Sequence, residues 1–175
     1  VSVERDAEDR SRIDRLAAIM ENTADGYLAA PGKRPIDIRR CELLERCLAR
    51  GKDPSYGTGL YTLTAPTGSG KTISSIAFAL EHARTNNLRR VIYVIPYTSI
   101  IDQTVGQFEA IFGTEAVLPH YSEAPYQLKN ESDMDATDLR RALAAENWNA
   151  PIVVTTAVQF FESLYSNACL LYTSP

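Results

Sequence analysis

The amino-terminal third of the chain places apolar residues three and four positions apart, which is the period of an α-helix. One such stretch covers residues 6–22, and a second runs from Pro35 to Arg50. Turn-forming pairs at Asp25-Gly26 and Pro31-Gly32 predict a loop between the two helices. Glycine is common just past the end of a helix, so we expect Gly51 to terminate the second one.

From Leu60 onward, short apolar runs alternate with helical patterns. The runs that we predict to be strands are Leu60–Ala65, Val91–Ile95, Ala116–Leu118 and Ile152–Thr155. The helical patterns cover residues 71–83, 98–112, 138–148 and 158–165. The second run is apolar throughout, which is typical of a parallel strand covered on both faces. Such alternation predicts an α/β fold in which helices cross over between the strands of a parallel sheet.

Composition excludes several classes of protein. The 175 residues are 45% hydrophobic and 23% charged, which excludes disorder throughout the chain. The longest apolar runs have about five residues, whereas a membrane-spanning helix needs roughly 20. A net charge of −4 gives no sign of a strongly basic nucleic-acid domain. Three cysteines without CxxC spacing argue against a disulfide framework or a zinc site, and a cytoplasmic, reducing compartment is the expectation.

The strongest chemical signal is a glycine-rich segment between a predicted strand and a predicted helix. It reads Ala65-Pro66-Thr67-Gly68-Ser69-Gly70-Lys71-Thr72. Its glycines let backbone amides point toward an anion, and the following helix adds its free N–H groups. Lys71 can reach the β- and γ-phosphates of ATP, and the Thr72 hydroxyl can ligate Mg²⁺. These two are the candidate catalytic residues, and the predicted ATP ligands are Thr67, Gly68, Ser69, Gly70, Lys71 and Thr72.

Two features complicate this prediction. The strict phosphate-loop pattern begins with glycine, and Ala65 stands there, so a glycine-rich turn with an incidental lysine is the competing interpretation. Hydrolysis also needs an acidic residue after a second buried strand, to hold Mg²⁺ and activate water. The predicted strands end at Pro96 and at Thr155-Thr156, and Asp102 lies in a helical pattern. We therefore expect the chain to lack this Walker B acid and, alone, to bind ATP without turnover.

Three segments in order resemble the first RecA-like domain of superfamily 2 helicases, most closely the CRISPR-associated helicase-nuclease of type I systems. Residues 59–72 resemble motif I, residues 91–103 motif Ia, and residues 146–164 the segment before the Walker B strand. The resemblance implies an incomplete RecA-like P-loop fold with a three-layer parallel sheet, preceded by a short helical segment. It also implies ATP-driven 3′-to-5′ movement on single-stranded DNA in prokaryotes, after a crRNA-guided surveillance complex has opened the target.

The resemblance also divides the chain. Residues 1–34 are expected to be a helical linker or the end of an upstream HD nuclease domain, and residues 35–168 a partial helicase domain 1. No histidine precedes His82, so the metal-binding residues of such a nuclease are not in this chain. Residues 169–175 do not fit the family, and a common sequencing adapter would encode Cys169–Ser174. We therefore expect a non-native tail there.

Candidate DNA contacts follow two of the predicted strands. Hydroxyls and helix N-terminal amides at the carboxyl edge of a sheet can hold DNA phosphates without basic residues. With those that the motif Ia resemblance adds, the candidates are Pro96, Tyr97, Thr98, Ser99, Gln103, Thr155 and Thr156. For Thr98 and Ser99, helix capping is the competing interpretation. Arg39 and Arg40 lie where such helicases contact adenine, although a salt-bridged surface is the interpretation that we favour.

Two other functions stay open. One is a different P-loop enzyme, such as a kinase or an AAA-type ATPase, which the segment from Pro96 to Gln103 disfavours. The other is a nucleotide- or DNA-binding module without turnover, which is our expectation for this chain as it stands.

Overall fold

The computed structural model describes residues 2–122, 124 and 133–172, without the side chains of residues 2–6, 146–147 and 166–172. The helices and strands of these residues, in chain order, are α1 (Ser2–Ala29), α2 (Pro35–Lys52), α3 (Lys71–Thr85), β1 (Val91–Ile95), α4 (Ile101–Phe112), β2 (Val117–His120), α5 (Ala136–Asn147), β3 (Ile152–Thr156) and α6 (Ala157–Tyr172). Thr98–Ile100 form one 3₁₀ turn before α4. The chain divides into an amino-terminal unit up to Val91 and a carboxy-terminal unit from Ile92 onward.

Helices α1, α2 and α3 pack together in the amino-terminal unit. The periodic apolar residues of α1 are buried as predicted, namely Ile13, Leu16, Ala17 and Met20. They are joined in the core by Leu44, Cys47 and Leu48 of α2 and by Ile76, Ala77 and Leu80 of α3. Removing these side chains from water is the main force that holds the three helices together. Both helices predicted at the start of the chain are therefore confirmed, and α3 begins directly after the glycine-rich turn.

One of the two predicted turns between α1 and α2 was wrong. Asp25 and Gly26 lie inside α1, which continues to Ala29. Ala24 in the same turn is 1% exposed, and packing of a helix face outweighs a local preference for turns. Pro31 and Gly32 do lie in the loop, where Gly32 has a φ of +69°.

Gly51 does not end α2, contrary to the prediction. The helix continues to Lys52, its C-cap is Asp53, and Gly51 is buried. A Cβ atom at this position would lie 2.6 Å from the Cβ of Glu81 and 2.7 Å from the carbonyl oxygen of Phe78. The missing side chain therefore lets α2 and α3 approach each other closely.

The apolar run Leu60–Ala65 is not a strand. It has no regular structure, and Leu60 is 94% exposed while Tyr61 and Leu63 are each 38% exposed. A strand is stable only when a neighbour completes its ladder of hydrogen bonds. None of the strands in the described part of the chain pairs with this run, and the prediction was wrong for that reason.

The carboxy-terminal unit contains a parallel three-stranded sheet in the order β1-β3-β2. Strands β2 and β3 pair in register from Val117 opposite Ile152 to His120 opposite Thr155. All five residues of the central strand β3 are buried. On the edge strand β1, Ile92 and Val94 are exposed, so the prediction that this strand is covered on both faces was wrong. Continuous apolar sequence does not distinguish a central strand from an edge strand.

Helices cover this sheet as the alternating pattern predicted. The apolar face of α4 is buried through Ile101, Val105, Phe108 and Phe112. After α5, the Trp148 side chain packs on a core cluster of Leu118, Ala150 and Val153. Strands, crossover helices and the parallel pairing together confirm the α/β fold class.

A buried carboxylate lies where the three helices of the amino-terminal unit meet. Glu81 of α3 is 0% exposed, and Arg84 approaches it to 2.5 Å. Neither carboxyl oxygen receives a well-oriented hydrogen bond. Burial is the main reason that the pKa of Glu81 rises from 4.5 to about 7, with Glu21 of α1 adding to the rise and Arg84 and Lys52 opposing it. Between about pH 4.5 and pH 7, the native state therefore keeps the Glu81 carboxyl protonated, whereas the unfolded chain releases this proton.

We expect the contribution of Glu81 to the unfolding free energy to fall as the pH rises from about 4.5 to about 7, because only the native state keeps this carboxyl protonated in that window. The loss is on the order of 3 kcal/mol. Glu81→Gln should remove it, and urea unfolding across this pH range measures the difference from the unmodified protein. Glu42→Gln on the exposed face of α2 is the matched control. Identical pH profiles for the unmodified protein and Glu81→Gln would contradict the prediction.

Candidate nucleotide site

The glycine-rich segment forms a tight turn directly before α3. The Ser69 N–H donates to the Pro66 carbonyl at 3.3 Å, which closes the turn. Gly68 and Gly70 have φ angles of +78° and +84°, in the left-handed region that favours glycine. No atom lies within 4 Å of a Cβ built on Gly68. Backbone conformation rather than crowding is therefore what requires glycine at Gly68.

Lys71 is the first residue of α3 and folds back over the loop. Its Nζ atom donates to the carbonyl oxygens of Ala65 at 2.6 Å and Pro66 at 3.0 Å. These bonds hold the ammonium against the loop backbone, where it is half-buried. Charged donors of this kind bind anionic oxygens more strongly than neutral carbonyls, so an arriving phosphate can displace the carbonyls.

The rest of the loop fits an anion as well. The Ser69 hydroxyl is buried and has no hydrogen-bond partner, which is unfavourable unless a ligand supplies one. The first backbone bond of α3 runs from the Ser74 N–H to the Gly70 carbonyl. Amides of the preceding helical residues therefore have no acceptor in the helix, and the positive end of its dipole lies there. Thr72 is half-buried in that first turn, and Thr67 is exposed on the loop.

Arg40 of α2 also contacts this loop. Its Nε atom donates to the Gly68 carbonyl at 2.9 Å, and its Nη1 atom lies 3.2 Å from Asp37 Oδ1. Arg34 bonds the same carboxylate and holds the pKa of Asp37 below its ordinary value. The predicted salt-bridged surface is confirmed for Arg40 but not for Arg39, and the contact of Arg40 with the loop was missed. The two residues are 28 positions apart, and nothing in either local pattern indicates their proximity.

The candidate DNA residues after β1 are all exposed: Pro96, Tyr97, Thr98, Ser99 and Gln103. Tyr97 is the N-cap of the 3₁₀ turn and Ile100 is the N-cap of α4, and neither cap has a side-chain hydrogen bond. The competing interpretation, that Thr98 or Ser99 caps the helix, was therefore wrong.

The two threonines at the end of β3 are placed differently. Thr155 is 0% exposed, and its hydroxyl donates to the His120 carbonyl at 2.6 Å. Thr156 is 8% exposed and accepts a hydrogen bond from the Gln159 N–H, which caps α6. A fully buried hydroxyl that already donates a hydrogen bond within the protein is not accessible to a DNA phosphate. We therefore leave Thr155 out of the DNA surface proposed below.

None of the three strands in the described ranges is followed by an acidic residue. Asp102, the nearest candidate in sequence, lies in the first turn of α4 and accepts a hydrogen bond from the Tyr121 hydroxyl. Residues 2–122, 124 and 133–172 contain no cluster of metal-ligating side chains. They also contain no helix long and apolar enough to cross a membrane.

Comparison with known proteins bears on both sites. Residues 34–171 match the family described as the type III restriction enzyme, res subunit. The chain is also 35% identical over 120 residues to the CRISPR-associated nuclease/helicase Cas3 of Haloferax volcanii. That alignment covers 59% of this chain and only 13% of the length of the relative. The family match includes the glycine-rich loop as well as the sheet.

Proposed function

Because the chain belongs to the type III restriction enzyme res subunit family of helicase-type proteins, we propose that it carries the ATP-binding loop and part of the DNA-contact surface of an ATP-dependent helicase of type I CRISPR interference. The observation that carries the proposal is the loop itself. Its lysine is folded inward onto two carbonyls, and its buried Ser69 hydroxyl has no partner. Both groups belong to the same loop and are of the chemical type that binds phosphate oxygens.

Each loop residue has a separate task in the proposed site. Lys71 neutralises the charge of the β- and γ-phosphates, and the amides of Gly70 and the first turn of α3 cradle them. Ser69 and Thr67 add hydroxyl contacts to the phosphates. Thr72 supplies the hydroxyl that would hold Mg²⁺, and the ion would offset part of the negative charge of the phosphates.

The DNA surface is proposed on the exposed residues that follow β1. Tyr97 is 69% exposed, and Thr98, Ser99 and Gln103 present hydroxyl and amide groups beside it. Such groups can hold the backbone of single-stranded DNA without a basic patch. The relative from Haloferax volcanii supports a CRISPR context by its name. Movement in the 3′-to-5′ direction, partnership with a crRNA-guided surveillance complex and a prokaryotic cytoplasmic location all remain proposals.

Measurements of ATP binding and ATP hydrolysis distinguish the proposed helicase function from the other P-loop enzymes. We expect this chain to bind a fluorescent ATP analogue in the presence of Mg²⁺, and we expect single-stranded DNA to stimulate ATP hydrolysis in a full-length protein that contains it. A kinase would instead transfer the γ-phosphoryl group to an acceptor substrate, and ATP hydrolysis that does not respond to single-stranded DNA would favour another class of ATPase. Failure of the chain to bind the analogue would remove the basis of the proposal.

A second candidate function applies to the 175 residues by themselves. The described strands are not followed by an acid that could hold Mg²⁺ and activate water. We therefore propose that this chain alone is a binding module that does not hydrolyse ATP. Phosphate release at a rate that depends on Lys71 would contradict this second candidate and leave the ATP site in place.

A further inference from the structure

Arg40 touches the glycine-rich loop at both of its left-handed glycines. Its Nε atom donates to the Gly68 carbonyl at 2.9 Å. Its aliphatic stem lies under Gly70, where a Cβ would be 3.5 Å from Arg40 Cγ and 3.7 Å from Arg40 Cβ. One side chain from α2 therefore contacts the loop twice, once by a charged hydrogen bond and once by packing.

This contact fixes the orientation of one peptide group in the loop. The Gly68 carbonyl and the Ser69 N–H belong to the same planar peptide and point in opposite directions. Arg40 binds the carbonyl, and the Pro66 carbonyl accepts from the N–H. A loop with two glycines has many accessible backbone conformations, and anchoring both ends of one peptide removes most of them.

The Arg40 guanidinium is itself held in place by a carboxylate of the same helix. Asp37 lies one helical turn before Arg40 on α2 and pairs with Arg40 Nη1 at 3.2 Å. The neighbouring Arg34 also bonds this carboxylate and holds the pKa of Asp37 below its ordinary value. The planar fork of Arg40 reaches the two acceptors through separate nitrogens, Nε and Nη1, in a fixed geometry. A lysine ammonium would have to serve both acceptors from a single nitrogen and would not reproduce that geometry.

We propose that Arg40 is a positioning residue for the phosphate loop, which it holds in the conformation that receives the phosphates of the nucleotide. The inference rests on the proposed ATP site and adds a residue to it that acts through the Gly68 carbonyl. This role differs from a contact between Arg40 and the adenine base, because a positioning residue affects the binding of the phosphate chain. Pre-organisation of this kind raises affinity, since the loop loses less conformational freedom when the ligand binds.

The test compares two ligands and four variants of the 175-residue chain. Affinity for ATP is measured with a fluorescent analogue in the presence of Mg²⁺, and affinity for inorganic tripolyphosphate, which has no base, is measured by competition. Arg40→Gln should weaken the binding of both ligands by about 5- to 10-fold, which is the net effect of one ordinary hydrogen bond. Arg39→Gln, an exposed neighbour on the same helix, should change neither. Arg40→Lys should recover only part of the loss.

The outcomes separate this inference from the proposed function. If Lys71→Ala leaves ATP affinity unchanged, the ATP site itself is wrong. If Lys71→Ala abolishes binding while Arg40→Gln behaves like Arg39→Gln, only the positioning role is wrong. Loss of affinity for ATP but not for tripolyphosphate would mean that Arg40 contacts the base, and full recovery by Arg40→Lys would mean that charge alone matters. Either result would overturn the proposal, and unchanged melting temperatures show that the variants are folded.

Discussion

Lys71→Ala is expected to weaken ATP binding by at least about 100-fold, which corresponds to roughly 2.7 kcal/mol. The substitution removes a cation that is already held over the loop by the carbonyls of Ala65 and Pro66. A phosphate then meets only neutral donors, and charge-assisted bonds are about twice as strong as neutral ones. It also removes two hydrogen bonds that hold the loop in shape. Titration with a fluorescent ATP analogue in the presence of Mg²⁺ measures the loss.

Lys33→Ala is the control for this change, because it removes the same charge from the same unit. The Lys33 side chain donates to the Leu28 carbonyl near the end of α1 and takes no part in the glycine-rich loop. The ATP affinity of this variant should stay within about twofold of that of the unmodified protein, since the Lys33 ammonium bonds the Leu28 carbonyl rather than the loop and salt screens charges that do not touch the ligand. Equal losses in the two variants would mean that net charge, rather than the loop, governs binding.

Gly51→Ala should destabilise the amino-terminal unit by about 3 kcal/mol or more. The added Cβ would lie 2.6 Å from Glu81 Cβ and 2.7 Å from the Phe78 carbonyl oxygen. Neither of these atoms is the far end of a flexible side chain, so α2 and α3 must move apart. That separation opens the core beneath them. Far-UV circular dichroism with urea as denaturant measures the change in unfolding free energy.

Gly106→Ala is the matched control, since it makes the same substitution inside another helix. Gly106 lies exposed in α4, and no atom lies within 4 Å of a Cβ built there. Alanine is the better helix former, so this variant should gain about 0.5–1 kcal/mol. The two variants therefore differ in the sign of the expected effect. A Gly51→Ala variant as stable as Gly106→Ala would contradict the close approach of α2 and α3.

The local pattern of apolar and polar residues predicted much of this fold. It failed where the structure depends on a residue that is far away in the sequence. The spacing of Ile13 and Met20 and the apolar run at β3 report the faces that are buried, because burial is what such patterns record. Gly51 was wrongly predicted as a helix end, because its place opposite Glu81 is a fact of tertiary packing. The exposed run at Leu60 has the composition of a strand but no described partner.

The candidate nucleotide site shows the same division between local and long-range information. Residues Gly68 to Thr72 are contiguous, and their turn and helix follow from local chemistry that a sequence reveals. Arg40 comes from an earlier helix, and its pairing with Gly68 depends on how α2 packs beside α3. The burial of Thr155 likewise depends on its position in the central strand. Sequence motifs therefore identify the groups that touch a ligand more readily than the groups that hold them in place.

The single tryptophan of the chain gives a spectroscopic view of one unit only. Trp148 packs on Leu118, Ala150 and Val153 in the carboxy-terminal unit, whereas Gly51, Glu81 and Lys71 all belong to the amino-terminal unit. The fluorescence emission of Trp148 reports on the sheet of the carboxy-terminal unit. Far-UV circular dichroism instead sums the signals of all the helices, including α1, α2 and α3 of the amino-terminal unit. Recording both signals during one denaturation would therefore tell whether damage at Gly51 is felt at the sheet, without any added label.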